Sequence, residues 1–481
     1  MTSTLLGFVI AYLVISIGIG VYAATRVHNA RDYITAGRSL PMFVVIAMVF
    51  ATWFGAETVL GIPATFLDEN LGGTISDPFG ATMCLLLFGL VFARPLYRMG
   101  LTTLGDFYRQ RFNRPVEAAM SLAIALSYLG WVSAQVTALG LVFNVISEGM
   151  ITQGQGIVIG AAVVLIYTLF GGMWSVALTT VVQMTVIVIG LLWITTLVAD
   201  MPEVGGIAPV IADAHAAGKF EFWPDANWAA IVTFIAGLLT MGIGSIPQQD
   251  VFQRANSAKN ERVAVWGTTF GGVAYFLFAA VPIYLTYAAT MVDPVQATAL
   301  LEDNAELVLP TFVFTHLPML AQVVFFGALL SVIMSTASGT LLAPSVTISE
   351  NLLKPFLDEK QLTDERFLWI TRVVVALFSV GVTIYALWSL ESETGIHQMV
   401  ENAYKVTMAT AFVPLFAGLF WSRANNTGAG ASIMLGLVVW LAMEFIAPEA
   451  ALPPQFAGFI ASVIGMIGGS LLPPGQRTAT A

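Results

Sequence analysis

The sequence predicts an all-α polytopic membrane protein with thirteen transmembrane helices, its N-terminus outside and its C-terminus inside. Of its 481 residues, 57% are apolar and only 10% are charged, whereas soluble proteins carry about 25% charged residues. The apolar residues form long runs, and Lys and Arg are confined to alternate connections between them. These three observations exclude a water-soluble globule.

Thirteen apolar runs have the length of about 18 residues or more that a membrane-crossing helix needs. They cover residues 4 to 26, 41 to 64, 78 to 99, 116 to 146, 155 to 172, 176 to 199, 228 to 250, 263 to 292, 319 to 346, 367 to 390, 398 to 421, 427 to 447 and 455 to 473. The first run has no preceding basic residue and no cleavage site after a short core, so we expect a retained helix and not a signal peptide.

The basic residues set the orientation. With the N-terminus outside, 17 of the 19 Lys and Arg residues fall in inner connections, and the exceptions are Lys219 in an outer connection and Lys405 within a helix. The inner ones are Arg26, Arg31, Arg38, Arg94, Arg98, Arg109, Arg111, Arg114, Arg254, Lys259, Arg262, Lys354, Lys360, Arg366, Arg372, Arg423 and Arg477. The positive-inside rule therefore fixes the topology. We expect Arg254 to be a solvated inner-face charge, with a gating ion pair to Asp250 or Asp106 as the alternative.

The second and seventh runs contain helix-breaking residues at matching places. The interruptions are Gly55, Gly61 and Pro63 in VFATWFGAETVLGIP, and Gly242, Gly244 and Pro247 in LLTMGIGSIPQQD. Unwound backbone at membrane depth is tolerated only where it lines a cavity or is buried in protein. Small residues can also serve close helix packing, but a matched pair five helices apart favours a transporter with its binding site at the midplane.

In the ninth run, MSTASGTLL places two adjacent hydroxyls, Ser335 and Thr336, at membrane depth, with the carbonyl of Val332 one turn earlier. Hydroxyl and carbonyl oxygens from an unwound helix suit a small hard cation such as sodium. Such hydroxyls also commonly bond to the carbonyl of their own preceding turn, so the residues alone leave both interpretations open.

Six motifs in order along the chain resemble the sodium:solute symporter family, over about residues 4 to 470: DYITAGRSL, ATWFGAETVLGIPA, GDFYRQRF, FGGMWSV, IPQQDVFQR and MSTASGTLL. The resemblance implies a LeuT-type 5+5 inverted repeat with one extra N-terminal helix. The implied divisions are 1–40 for the extra helix and inner loop, 41–200 for the first repeat, 201–227 for an outer loop, 228–421 for the second repeat and 422–481 for two further helices and a short tail. It also implies sodium-coupled import of a small solute by alternating access, and no enzyme activity.

The resemblance further implies a sodium site between the second and ninth helices. Its ligands would be the backbone carbonyls of Ala51, Phe54 and Val332 and the hydroxyls of Ser335 and Thr336. Members that bind a second sodium have an aspartate where this chain has Thr180. A hydroxyl there lacks the charge that would neutralise a second ion, so we expect one coupled sodium.

Within the family, the chain most resembles the high-affinity choline transporter branch, which holds a quaternary ammonium among tryptophans by cation–π attraction. Trp53 and Trp131 match two of these positions, a third falls at Gln248 and the fourth aligns near Glu401. The tryptophan box is thus half present, and both tryptophans could instead serve packing.

Four polar residues at membrane depth complete the predicted substrate site. Glu57 is a carboxyl group beside a helix break; it could face a cationic substrate, be protonated, or accept helix N-terminal amides. Gln135 and Gln248 could donate to a solute or bridge helices. Glu401 lies four residues before Lys405, which favours a structural ion pair, with an outer-vestibule role for Glu401, Asn402 and Tyr404 as the alternative.

The substrate we expect is a small organic cation or zwitterion of the choline, betaine or proline type, with a sugar or carboxylate as the alternative. A transporter-like sensor or a passive channel are rival classes. The single Cys84 and four scattered histidines give no disulfide, metal or hydrolase pattern. Besides sodium, the solute and the bilayer of a bacterial inner membrane, we expect no nucleic acid and no obligatory protein partner.

Overall fold

A computed structural model describes residues 2–358, 362–391 and 395–471. Lys360 and Arg477, two of the predicted inner charges, lie outside these residues. The described chain is almost wholly helical; its only β pairing is an isolated bridge between Leu40 and Ala258. The predicted all-α class is confirmed.

Twenty helices are used here as landmarks. The first ten are α1 (Thr2–Ala23), α2 (Ala30–Thr35), α3 (Met42–Trp53), α4 (Ile62–Gly73), α5 (Ile75–Arg98), α6 (Leu104–Arg111), α7 (Arg114–Ile146), α8 (Gln153–Ala199), α9 (Ile207–Ala216) and α10 (Trp228–Gly242). The others are α11 (Gln249–Asn256), α12 (Glu261–Val292), α13 (Pro294–Asp303), α14 (Val308–His316), α15 (Met319–Thr347), α16 (Asp364–Ser389), α17 (Ile396–Thr410), α18 (Phe412–Phe420), α19 (Asn426–Ile446) and α20 (Pro454–Leu471). The long α8 contains a kink at Gly172, whose φ of 51° suits glycine.

The predicted number of thirteen spans is not confirmed. Within the described residues, nine helices are long and apolar enough to cross a membrane, or eleven if each of two bent pairs is one span. Two of the predicted runs, 155–172 and 228–250, correspond to shorter apolar helices, Gln153–Ile166 and Trp228–Gly242. The second of these is short because the chain leaves the helix at Gly242 and continues as the polar helix α11.

Both predicted helix breaks are present, but the first is narrower than its glycine and proline pattern suggests. The axis bends by 56° between α3 and the segment 57–73, and only Phe54 and Gly55 leave the helix. Gly61 ends a π-helical turn, Glu57–Gly61, and Pro63 lies in the first turn of α4, where proline is tolerated. A second bent pair, α17 and α18 at 46°, has no glycine at its junction and was not predicted.

Connections predicted on the same side of the membrane contact one another. On the inner side, Leu40 and Lys259 share a backbone hydrogen bond of 2.9 Å, and the Tyr97 hydroxyl donates to the carbonyl of Ala258. On the outer side, the Lys219 ammonium donates to the carbonyl of Leu67 at 2.6 Å. The predicted outer loop 201–227 contains α9, and the connection 293–318 between two predicted runs contains α13 and α14.

Two helices form the interior. The apolar windows of α7 and α15 are 78% and 72% buried within the protein, against 22% for α19. Helices that are apolar all round and buried lie at the centre of a bundle, whereas those with exposed apolar surface face lipid. The broken segment α3–α4 packs against this interior, so its break lies deep in the protein.

Candidate functional site

At the break after α3, carbonyl groups lose their usual helical partners. The amide of Phe54 still donates to Phe50, but that of Gly55 donates to the carbonyl of Trp53 at 2.9 Å. The same carbonyl accepts the hydroxyl of Thr58 at 2.8 Å. The Gly55 amide is therefore withdrawn from the carbonyl of Ala51, which becomes available to another donor.

The donor that the structure supplies to Ala51 comes from α15. The Thr336 hydroxyl donates to the Ala51 carbonyl at 2.9 Å, and both residues are buried. The neighbouring Ser335 hydroxyl lies 2.9 Å from the hydroxyl of Thr180 on α8. Oxygen atoms of three helices therefore meet at the first break.

The other two predicted sodium ligands, Phe54 and Val332, are fully buried as well. Phe54 lies at the break itself, with φ −79° and ψ 73°, so its backbone is not helical. Val332 lies on α15 one turn before Thr336. The five predicted ligands thus belong to the two elements that the Thr336 hydrogen bond joins.

Glu57, which begins the π-helical turn after the break, is completely buried. Its Oε2 accepts a 2.6 Å hydrogen bond from the amide nitrogen of Gln135 on α7. Gln135 in turn accepts the backbone N–H of Ala56 at 3.0 Å. Glu57 Oε1 has no hydrogen-bond partner. Gln135 therefore fixes the carboxyl group to the break and leaves one of its oxygens available.

Trp53 and Trp131 are brought together, as expected for neighbours in one box. Their ring centroids lie 5.6 Å apart, and each ring contacts Tyr404 of α17, at 5.8 Å and 5.5 Å. Tyr128 stacks on Trp131 at 5.9 Å. All four rings are buried. We call these four residues the aromatic cluster.

The position of Tyr404 corrects its expected role in the outer vestibule. It belongs to the aromatic cluster because α17 turns this face toward α3 and α7, whereas Asn402 is exposed. Its place in the cluster was missed because an isolated tyrosine on an apolar helix carries no sign of which helix it will face.

Gln248 lies at the start of α11, at the second break, and is buried. Its amide nitrogen donates to the Ser127 hydroxyl at 3.0 Å and lies 3.4 Å from that of Thr407. Since Ser127 is next to Tyr128 and Thr407 is one turn after Tyr404, Gln248 bridges helices beside the aromatic cluster. Both the oxygen and the nitrogen of its side-chain amide have partners within the protein.

Glu401 lies apart from the aromatic cluster. It lines an outer cavity of about 950 Å³ that extends down to Gly61 and Thr137. The ion pair expected between Glu401 and Lys405 is not among those that the described residues form. Glu401 points to the cavity instead, so its vestibule alternative agrees with the structure.

The outer cavity is strongly acidic. Its carboxyl groups are Asp68, Glu69, Glu302, Asp303, Glu306 and Glu401. Among the described residues that line the cavity, none is Lys or Arg. Its floor includes Thr137, whose side chain is 92% buried and whose hydroxyl has no partner. Since Gly61 is one turn above Glu57, the cavity ends close to the broken segment.

Glu306 lies at the cavity rim, outside the membrane-spanning segments, and its titration is shifted. Burial raises the pKa of its carboxyl to about 7, against the opposing effect of the Ile396 N–H, which donates to Glu306 at 2.5 Å. Glu306 thereby caps the beginning of α17, the helix that carries Tyr404.

Two buried acids accept hydrogen bonds from tyrosines, and neither contact is predicted from the sequence. Asp77 on α5 accepts a hydrogen bond from Tyr275 of α12, whose hydroxyl lies 3.5 Å from that of Thr58. Asp250 on α11 accepts one from Tyr128 of the aromatic cluster. Asp250 lies within the motif IPQQDVFQR, but nothing in that motif indicates a tyrosine partner on another helix, and Asp77 belongs to none of the six motifs.

Arg254 is not the solvated inner-face charge that we expect first; it forms the alternative, an ion pair with Asp250. Its side chain is 2% exposed, and its guanidinium lies 3.5 Å from the Asp250 carboxylate one turn earlier. A desolvated arginine requires such a partner. The pair closes the inner side of the aromatic cluster through Tyr128.

The comparisons with known proteins agree with this architecture. A sequence model of the sodium:solute symporter family matches residues 33–436. The human high affinity choline transporter 1 is 25% identical over 458 residues, which cover 90% of this chain and 75% of that one. The osmoregulated proline transporter OpuE of Bacillus subtilis is 24% identical over 470 residues, covering 95% of this chain and 92% of that one.

A solved structure shares the fold. The substrate-bound, outward-open Na⁺-coupled sialic acid symporter matches with a TM-score of 0.81 at 21% identity, over 98% of each chain. The predicted LeuT-type fold is thereby confirmed. From the family match over most of its length, the chain belongs to the sodium:solute symporter family and is a multi-pass membrane symporter, not an enzyme, with sodium as its coupling ion.

Proposed function

We propose that this sodium-coupled symporter imports a small organic cation or zwitterion, of the choline, betaine or proline type, across a bacterial inner membrane. The observation that carries the proposal is the buried Glu57, which is held by Gln135 with one carboxylate oxygen left unpartnered. A buried carboxylate is costly unless it is neutralised or meets a cation. Beside the helix break and the aromatic cluster, a cationic group would interact favourably with both this carboxylate and the aromatic rings.

The sodium site of the proposal is formed by the carbonyls of Ala51, Phe54 and Val332 and the hydroxyls of Ser335 and Thr336. The hydrogen bond from Thr336 to Ala51 supports it, because it brings oxygens of both elements within 2.9 Å. One sodium would replace that bond by coordinating both oxygens. We assign a single sodium, since Thr180 offers Ser335 a hydroxyl and no charge.

Alternating access follows from the location of this site. Sodium would hold the broken segment of the first repeat, 41–200, against α15 of the second repeat, 228–421, and shape the substrate pocket beside it. One charge crossing 100 mV yields about 2.3 kcal/mol, and a tenfold sodium gradient about 1.4 kcal/mol more. This is sufficient to sustain a solute gradient of roughly several hundredfold.

The outer cavity supports a cationic solute. Its six acids and lack of described Lys or Arg lining residues produce a negative potential that concentrates cations at its entrance. The cavity floor at Gly61 and Thr137 leads toward Glu57, and the faces of Trp53, Trp131 and Tyr404 attract a cation once dehydrated.

A sugar substrate is less favoured by the same contacts. Gln135 and Gln248, the amides suited to hydroxyl groups, already have partners within the protein. A sugar would have to displace those partners, whereas a cation finds an unpartnered oxygen. The names of the relatives, choline and proline transporters, also agree with a solute that carries a cationic nitrogen.

A thermal-shift panel tests the proposal. The purified protein is heated with choline, betaine, proline, sugars or monocarboxylates, each in sodium and in equal potassium, because a ligand of the native state raises its stability. A sodium-dependent shift with a cation or zwitterion is expected. A shift confined to sugars or monocarboxylates would contradict the substrate class, and binding without sodium-driven uptake in proteoliposomes would favour a sensor.

A further inference from the structure

We infer that Glu57 selects a substrate whose cationic nitrogen carries at least one N–H, and that it discriminates against a quaternary ammonium. This inference rests on the proposed function and narrows it to protonated amines. Trp53 and Trp131 alone would not produce this selectivity, because a ring face attracts methylated and unmethylated ammonium groups alike.

The two carboxylate oxygens of Glu57 have different surroundings. Oε2 accepts the Gln135 amide at 2.6 Å, and Gln135 is itself fixed by the Ala56 N–H. Oε1 has no partner. Trp131 lies beside the carboxyl, but its N–H lacks the distance or angle of a hydrogen bond. Oε2 is therefore held by Gln135, and Oε1 is a buried acceptor without a donor.

Quaternary ammonium groups and protonated amines differ in what they can offer to Oε1. A quaternary ammonium neutralises charge but has no N–H, so Oε1 would remain a buried acceptor without a hydrogen bond. A protonated amine supplies both charge and donor, and charge-assisted hydrogen bonds are the strong ones. Sites built to hydrogen-bond a substrate N–H reject analogues that lack it far more strongly than they reject a missing methyl group.

The neighbouring protein donor, the indole N–H of Trp131, forms no hydrogen bond to Oε1. The cluster rings are packed against one another, with centroids 5.5 to 5.8 Å apart among Trp53, Trp131 and Tyr404. Glu57 is fully buried. The substrate nitrogen is thus the natural donor to Oε1, with the cluster rings beside it.

Two methylation series test this inference, since their members keep one positive charge at neutral pH while losing N–H groups. The first runs from glycine through sarcosine and dimethylglycine to betaine, and the second from ethanolamine to choline. Dissociation constants in sodium are measured by calorimetry. In the wild type, the tertiary amine of each series is expected to bind at least about tenfold more tightly than its quaternary counterpart.

The isosteric variant E57Q separates charge from donor chemistry. Because Gln135 donates to the Oε2 position, the new amide must turn its oxygen there and its NH₂ to the Oε1 position. All members should then bind more weakly, and the ratio of tertiary to quaternary affinity should fall to about one or below. The exposed Glu449→Gln is the matched control, and its ratio should equal that of the wild type.

Quaternary members that bind wild type as tightly as tertiary ones would overturn the inference and leave the proposed function standing. An amine preference that survives in E57Q would overturn the assignment to Glu57. If no member of either series bound while a sugar or monocarboxylate did so with sodium, the proposed function would fail together with the inference.

Discussion

The hydroxyl of Thr336 on α15 donates a 2.9 Å hydrogen bond to the carbonyl of Ala51, one turn before the break after α3. This contact joins the two elements on which alternating access would depend. Sodium would be coordinated by the same two oxygens. The Thr336 hydroxyl would therefore be a ligand when the ion is bound and a hydrogen-bond donor to Ala51 when it is not.

Replacement of the Thr336 hydroxyl should weaken sodium coupling. T336V keeps the shape of the side chain and removes one ligand, which should raise the sodium concentration for half-maximal uptake at least about tenfold. T336S keeps the hydroxyl and should behave nearly as wild type. Uptake into proteoliposomes at graded sodium concentrations measures both, and equal sodium dependence of T336V and T336S would exclude Thr336 as a ligand.

The number of coupled sodium ions should be one. Thr180 lies 2.9 Å from Ser335 but brings no carboxylate, so a second ion there would be uncompensated in a buried site. The Hill coefficient for sodium-dependent uptake should be about 1 in both wild type and T180V. A wild-type coefficient near two that falls to one in T180V would show that Thr180 contributes to a second site.

Gln135 should matter for stability as well as for binding. Q135L leaves Glu57 without its donor and Ala56 N–H without its acceptor, and unsatisfied buried groups cost about 1–3 kcal/mol each, more for a charged one. The melting temperature and solute affinity should both fall. Gln455→Leu is the control, because that amide makes a single 3.4 Å hydrogen bond to Thr240; an equal loss in the two variants would argue against a special role of Gln135.

The buried pair of Asp250 and Arg254 should show strong coupling. D250N leaves the guanidinium without its charge partner, which costs about 3–5 kcal/mol for buried pairs. The double variant D250N/R254M removes both charges and should recover most of the lost stability. Unfolding in a mild detergent compares the wild type, D250N, R254M and the double variant. Additive losses in the two single variants would mean that the two side chains do not interact.

Protein stability should depend on pH through Glu306. Because burial raises its pKa to about 7 in the folded protein, against about 4.3 in an unfolded chain, the folded state binds the extra proton between these values. The stability contributed by the protonated form is therefore lost as pH rises from about 4.3 through 7. E306Q keeps the acceptor for Ile396 and should lose part of this pH dependence.

Melting curves from pH 5 to 8.5 measure the effect. The wild type should melt at a lower temperature at the alkaline end than at the acidic end, and E306Q should melt higher than wild type at pH 8 by about 2 °C. If the wild type became more stable from pH 5 to pH 8.5 and E306Q did not, the pH dependence would have the opposite sign. That result would contradict the role of Glu306.

Much of the fold was predictable because its signals are local. Apolar runs and Gly/Pro interruptions depend only on neighbouring residues, so the helical class and both breaks followed from the sequence. The number of spans did not, since α10 and the first part of α8 are short helices within longer apolar runs. The bend between α17 and α18 has a local sign in Pro414, which has no N–H to donate to the carbonyl of Thr410 at the junction.

The candidate site was predictable residue by residue, but its contacts were not. Glu57 and Gln135 were each singled out for substrate binding, yet the structure makes one the partner of the other. Glu401 and Lys405 have the spacing of an ion pair and do not form one. Helical periodicity tells which residues share a face, whereas partners on other helices depend on packing that a single sequence does not encode locally.

The most direct test of the central claim needs no substrate. The melting temperature of the purified protein is measured in sodium chloride and in potassium chloride at equal ionic strength, for wild type and for the S335A/T336A double variant. Sodium should stabilise the wild type, because it binds only the native state, and should leave the double variant unchanged. An equal sodium shift in both proteins, or no shift in the wild type, would contradict a sodium site between the first helix break and α15.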